Sequence, residues 1–232
     1  MKKTSAINDL LKVMAKLRAP DGCPWDREQS HMTLRRHAVE EVYELIDAIE
    51  AKDDHEMAEE LGDLLLQVVF HCQLARERGV FDFENVCRLI VEKLIRRHPH
   101  VFGKTSVKSV DEVWANWEKI KHAEKRGTRH ERASVFDGIP KHLPALLRAE
   151  KLVKKARKAK LLPQNKKSKR QFTRLALAEA LYVLAELAQG KGWSAEELLG
   201  DEIKKQERSL RRLELSKTKS QNRSHSGKSR AR

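Results

Sequence analysis

Between Val39 and Val69 the chain reads VEEVYELIDAIEAKDDHEMAEELGDLLLQVV, with one glycine, no proline and carboxylates at helical spacing. Such text predicts two helices around a polar turn at Lys52-Asp53-Asp54. On a helix, residues three and four apart share a face. Glu41 therefore lies beside Glu44, Glu40 lies one turn below Glu44, and Glu60 lies beside Asp63. An antiparallel hairpin brings the two carboxylate clusters face to face. Val39, Val42, Leu45, Ile46 and Ile49 on one helix and Leu61, Leu64, Leu65, Val68 and Val69 on the other are expected to supply its packing seam. Like charges at this spacing cost about a few tenths of a kcal/mol per exposed pair and more when partly buried. A hard divalent cation removes that cost. Magnesium, which takes a few carboxylates together with waters and phosphate oxygens, suits the donor set, with manganese as an alternative occupant. A lone acidic pair of this kind usually marks only a solvated helix face. Acids crowded by apolar neighbours on both helices argue for a site.

The remaining text is that of an all-α protein: aromatics are few, with only 10 glycines and 6 prolines in 232 residues. No apolar run approaches the length of a membrane span and no signal-peptide core follows Met1, so a soluble chain in the cytoplasm, with no membrane partner, is expected. Cys23, Cys72 and Cys87 show no CxxC spacing and fit reduced thiols. The net charge of +14 hides a division. Residues 141–232 carry 25 Lys and Arg against 9 Asp and Glu, a surplus of +16, and residues 1–140 carry 23 against 25. These are two pieces of different character.

In chain order, an amphipathic helix over Ile7–Arg18 ends in the turn Ala19-Pro20-Asp21-Gly22, and the loop Cys23-Pro24-Trp25-Asp26 follows. Helices are expected near Thr33–Ala51 and Asp54–Arg78, the latter capped by Asp53 and closed by Gly79. Asp82 caps a fourth, which breaks at His98-Pro99 and carries Lys93, Arg96 and Arg97 in its last turns. Ser109 and Glu112 open a fifth over Val110–Lys125, with Trp114 and Trp117 three apart. A linker over 127–142 leads to a basic half with helices near 143–159, 172–189 and 194–215 and a basic loop LPQNKKSKR between the first two. The tail, 216–232, has six Lys and Arg and no acid, which predicts disorder. Residues 143–215 resemble a worn copy of the first half, with Ala176 opposite Glu60 and Glu179 opposite Asp63. Glu150 is the only acid between residues 141 and 178, so this half cannot assemble a second carboxylate site. Gly103-Lys104-Thr105 is no phosphate loop, because His98 stands where its first glycine belongs. The stretch Glu56–Gly62 misses three positions of the Nudix box.

The arrangement Glu40-Glu41-x-x-Glu44, then Glu60-x-x-Asp63, resembles the EExxE, ExxD signature of the all-α nucleoside triphosphate pyrophosphohydrolases. Gly22-Cys23-Pro24-Trp25-Asp26, Glu60-Leu61-Gly62-Asp63-Leu64-Leu65, Arg96-Arg97-His98-Pro99-His100-Val101-Phe102 and Trp117-Glu118-x-Ile120-Lys121 narrow the resemblance to the first domain of bacterial MazG. It implies a MazG-like helical bundle over residues 1–126, completed by homodimerisation. It also implies magnesium-dependent hydrolysis of nucleoside triphosphates between the α and β phosphates, with broad base tolerance. By motif, Glu41, Glu44, Glu60 and Asp63 fall at the metal ligands and Glu40 at a further ligand or orienting position. Glu40 or Glu41 is the candidate general base. Lys93 and Arg97 fall at phosphate contacts and Trp117 beside the nucleotide. The chain departs from the family in lacking the second EExxE, ExxD set. The competing expectation is a catalytically weak or inactive homologue that makes non-specific nucleic-acid or partner contacts through its basic residues 143–232.

Overall fold

The computed structural model describes residues 5–129, 131–163 and 172–228, without the side chains of residues 122 and 219–228. Ten helices appear among the described residues: α1 Ala6–Leu17, α2 Pro24–Glu28, α3 Arg35–Ala51, α4 Asp54–Glu77, α5 Phe83–Arg97, α6 Pro99–Phe102, α7 Val110–Ala123, α8 Ala145–Lys158, α9 Arg174–Gly190 and α10 Ala195–Lys228. None is long and apolar enough to cross a membrane. The chain divides into two compact units, Met1–Lys121 and His122–Arg232.

The first unit is built on the α3–α4 hairpin. Lys52 closes α3 in the left-handed region at φ 58°, and the Asp53 carboxylate accepts from the amides of His55 and Glu56 at the start of α4. Gly79, with φ +68°, ends that helix. α1 lies against α4, and Met14, Leu34, Val69, Phe70 and Leu74 form the buried core there. The link from α1 to α2 is tight: a Cβ at Gly22 would stand 2.1 Å from the Leu17 carbonyl oxygen, so no other residue fits. The predicted loop at residues 23–26 is instead the short helix α2, because Pro24 at its first position presets the helical φ. Arg18 fastens these pieces. Its guanidinium donates twice to Glu77 at 2.7 Å, donates to the Asp26 carbonyl and lies 5.6 Å from the Phe70 ring centroid.

A second fastening joins the loop before α3 to α4. His31 Nδ1 and His71 Nδ1 are 2.8 Å apart in stacked rings, and Arg78 donates to His31 Nε2 at 3.0 Å. Because guanidinium only donates, His31 keeps its proton on Nδ1 and donates to His71. Burial, and then His31, hold the His71 pKa below its usual 6.5. The folded value is the lower one, so the contribution is intact above 6.5 and is lost as pH falls through the folded value. The thermal midpoint of wild type is expected to fall as pH drops below 6.5, and that step should shrink in His71→Gln. Parallel profiles for the two proteins would rule out this pair as its origin.

In the second unit α8 lies along α10 and α9 touches α10. Phe136, Ala145, Leu152, Ala156, Ile203 and Leu210 make its core. Arg211 pairs with Asp137 and Glu207 at 2.8 Å, Arg148 pairs with Glu207 at 2.9 Å, and Lys155 donates to the carbonyls of Val135 and Asp137. These bonds tie the segment before α8 onto the helices. Among the described residues α8 packs chiefly along α10. The basic loop expected after Leu162 lies, from residue 164 onward, outside the described residues. The tail departs from expectation: α10 continues through the predicted disordered stretch to Lys228. No proline interrupts residues 195–228, and their Leu, Arg, Lys, Glu and Gln content lets a helix already nucleated against α8 propagate.

Candidate active site

The hairpin seam differs from the apolar one expected. Buried and half-buried positions recur at heptad-like spacing, at Leu34 just before α3 and Ala38, Glu41, Leu45 and Ala48 on it, and at Met57, Glu60, Leu64, Gln67, His71 and Leu74 on α4, where Val69, Phe70, Cys72 and Ala75 are buried as well. Both helices carry two apolar stripes. The mixed one, with smaller and polar residues, faces the neighbouring helix. Val39, Val42, Ile46 and Ile49, with Leu61, Leu65 and Val68, stay exposed on the other, whereas Leu45, Leu64 and Val69 turn inward as predicted.

Two carboxylates thereby enter the seam. Glu41, Glu60 and Asp63 each offer an oxygen within 4.8 Å of the others. Burial, then Asp63 and Glu44, raise the Glu41 pKa. Burial, then Glu44, Asp63 and Glu41, raise that of Glu60. Glu44 is thus felt by both seam carboxylates, although its side chain is exposed and lies outside the close group of three. Glu40 is exposed and turned toward His37, 3.7 Å from Nδ1. Gln67 donates to Glu41 Oε1 at 3.4 Å. Sequence reading passed over this glutamine, although its position, four residues after Asp63 inside the run LLLQVVF, is the available signal.

His55, Glu56 and Glu59 also cluster, at the exposed start of α4, where they form a solvated acidic face. Lys93 lies exposed on α5, one turn before Arg97. Arg97 is 8% exposed and sits 4.9 Å from the Trp117 ring centroid, with Lys121 at 4.8 Å from the same ring. Trp114 meets Trp117 edge-on and is itself exposed. Two predicted residues, Arg97 and Trp117, are thus in direct contact. Lys121 is an addition to them.

Residues 29–102 match the family model of the MazG nucleotide pyrophosphohydrolase domain. The match holds every predicted site residue but Trp117. The chain is similar to the nucleoside triphosphate pyrophosphohydrolase of Escherichia coli K12, at 48% identity over 64% of this chain and 56% of that one. It is 49% identical to the Thermotoga maritima nucleoside triphosphate pyrophosphohydrolase/pyrophosphatase MazG, over 64% of this chain and 55% of that one. An uncharacterized 26.1 kDa protein of Streptomyces cacaoi is 45% identical over 65% of this chain and 61% of its own length. The chain therefore spans a little over half the length of these relatives. The carboxylate hairpin lies inside the stretch, residues 29–102, that matches the MazG nucleotide pyrophosphohydrolase domain.

Proposed function

We propose that the α3–α4 carboxylate hairpin hydrolyses nucleoside triphosphates between the α and β phosphates, giving a nucleoside monophosphate and pyrophosphate. The observation that carries this reading is the meeting of Glu41, Glu60 and Asp63 across the seam, their oxygens within 4.8 Å of one another. Three hard oxygen donors, two of them with pKa values raised by burial and then by neighbouring carboxylates, fit a magnesium ion, or manganese in its place, with Glu44 as a fourth ligand. When bound, the ion supplies positive charge beside the triphosphate and makes a water easier to deprotonate.

The chain's own groups do the rest. Glu40 or Glu41 accepts the proton of the attacking water. Lys93 and Arg97 neutralise the departing pyrophosphate. Trp117 offers a ring face that any base can stack on, which favours broad base tolerance. The apolar stripe left open on α3 and α4 is the surface of a homodimer that closes the site. Nucleotide substrates place the protein in the cytoplasm.

The test is release of pyrophosphate from each NTP and dNTP with magnesium, with the monophosphate as co-product. A folded protein that binds magnesium yet releases none would put the basic-surface reading first. That reading draws on the charge surplus of residues 141–232. Among the described cations there, Arg148, Lys155 and Arg211 are engaged by protein acceptors.

A further inference from the structure

Gln67 is an amide in a place where packing asks for none. It lies four residues after Asp63 and seven after Glu60, on the stripe of α4 that faces α3. The residue is 8% exposed, its Nε2 donates to Glu41 Oε1 at 3.4 Å, and its Oε1 is buried with no partner. An unpaired buried carbonyl is destabilising, because it gives up its bonds to water and gains none. Methionine has nearly the same length and would fill the seam without that cost. Turning the amide over would set its carbonyl oxygen against a carboxylate oxygen, so the donor must face Glu41 and the orphaned acceptor is the consequence. The one contact the amide gains is the one to Glu41.

We propose that Gln67 is a positioning residue of the carboxylate site. Its amide fixes the rotation of the Glu41 carboxylate, so that this group meets Glu60 and Asp63 in a geometry ready for a divalent cation. The proposal rests on reading Glu41, Glu60 and Asp63 as a cation site. A glutamate has three rotatable bonds, the last of them broad, and nothing on α3 itself is seen to hold the carboxylate of Glu41. A ligating carboxylate left to rotate spends part of its binding energy on being ordered. A hydrogen bond from a neighbouring side chain removes that loss in advance and typically affects affinity about 10- to 100-fold. The 3.4 Å separation is long for such a bond.

The experiment measures binding of Mn²⁺ alone to the full chain by calorimetry, for wild type, Gln67→Met and the seam control Leu64→Met. The thermal midpoint of each in a chelator is recorded alongside. Gln67→Met is expected to weaken Mn²⁺ binding by about 10- to 100-fold while its chelated midpoint stays level or rises. Leu64→Met should bind like wild type. If Gln67→Met does not fold, Gln67→Asn serves in its place: it keeps an amide too short to reach Glu41 and should show the same loss. Equal affinity of wild type and the Gln67 variant overturns the assignment, as does an equal loss in Leu64→Met, which would make the role one of packing alone. A wild type that takes up no Mn²⁺ overturns the cation reading itself, and the assignment falls with it.

Discussion

Glu41→Gln is expected to lower pyrophosphate release by about a hundredfold or more and, at the same time, to make the metal-free protein more stable at neutral pH. The two effects have one cause. Glu41 sits in a helix seam where burial and the charges of Asp63 and Glu44 disfavour its ionised form. Its folded pKa is therefore above the ordinary value of 4.5. For such a group the contribution to stability is complete below the unfolded pKa and is lost as pH rises through the folded one. In a chelator, the wild-type midpoint should fall over that window relative to the variant and remain below it at neutral pH. Magnesium should reverse the order, because binding stabilises only the protein that retains the site. Asp63→Asn is expected to behave the same way in the assay. Full activity in both variants would remove this hairpin from the chemistry. A variant less stable than wild type in the chelator would show that Glu41 contributes packing or hydrogen bonding that outweighs the repulsion.

How far the sequence announced this site depended on which interaction set each feature. Helix spans followed from local chemistry, and Asp53, Asp82 and Ser109 each accept from the helix start they were expected to cap. The convergence of Glu41, Glu60 and Asp63 was legible as well, since a short turn between two helices leaves few ways for them to pair. The seam was misjudged because both helices carry two apolar stripes, and periodicity alone cannot say which one the partner helix takes. The larger stripe, with Ile46, Ile49 and Leu61, looked like the core and is exposed; the stripe that packs contains Ala38, Ala48 and the acids. Gln67 was missed for the same reason, because its meaning lies in a neighbour 26 positions away. The Arg97 to Trp117 contact joins separate helices through a loop of irregular length, so motif resemblance named both residues but spacing could not place them together.

That exposed stripe leads to the second large effect: the double variant Val42→Arg/Ile46→Arg is expected to be a folded, inactive monomer. Val42 and Ile46 are one turn apart on α3, 41% and 42% exposed, and outside the α3–α4 seam. Arginine at either place reaches water in a single chain and buries no charge there, so the hairpin and its carboxylates stay as they are. Val39 and Ile49 continue the stripe along α3, and Leu61, Leu65 and Val68 extend it onto α4, all of them more than a third exposed. A continuous apolar surface of this kind marks an interface. In the homodimer proposed above, each stripe meets its own copy about a two-fold axis, so one substitution is felt twice and two arginines face their equivalents. Like charges forced together in a dry interface cost several kcal/mol, enough to shift association out of the micromolar range. Sedimentation at micromolar concentration should then give about twice 26.8 kDa for wild type and 26.8 kDa for the variant, with circular dichroism unchanged. Hydrolysis should vanish with the dimer even though Glu41, Glu60 and Asp63 are untouched. A wild type that sediments as a monomer while turning over substrate would mean that one chain closes the site alone. The open stripe would then belong to some other contact.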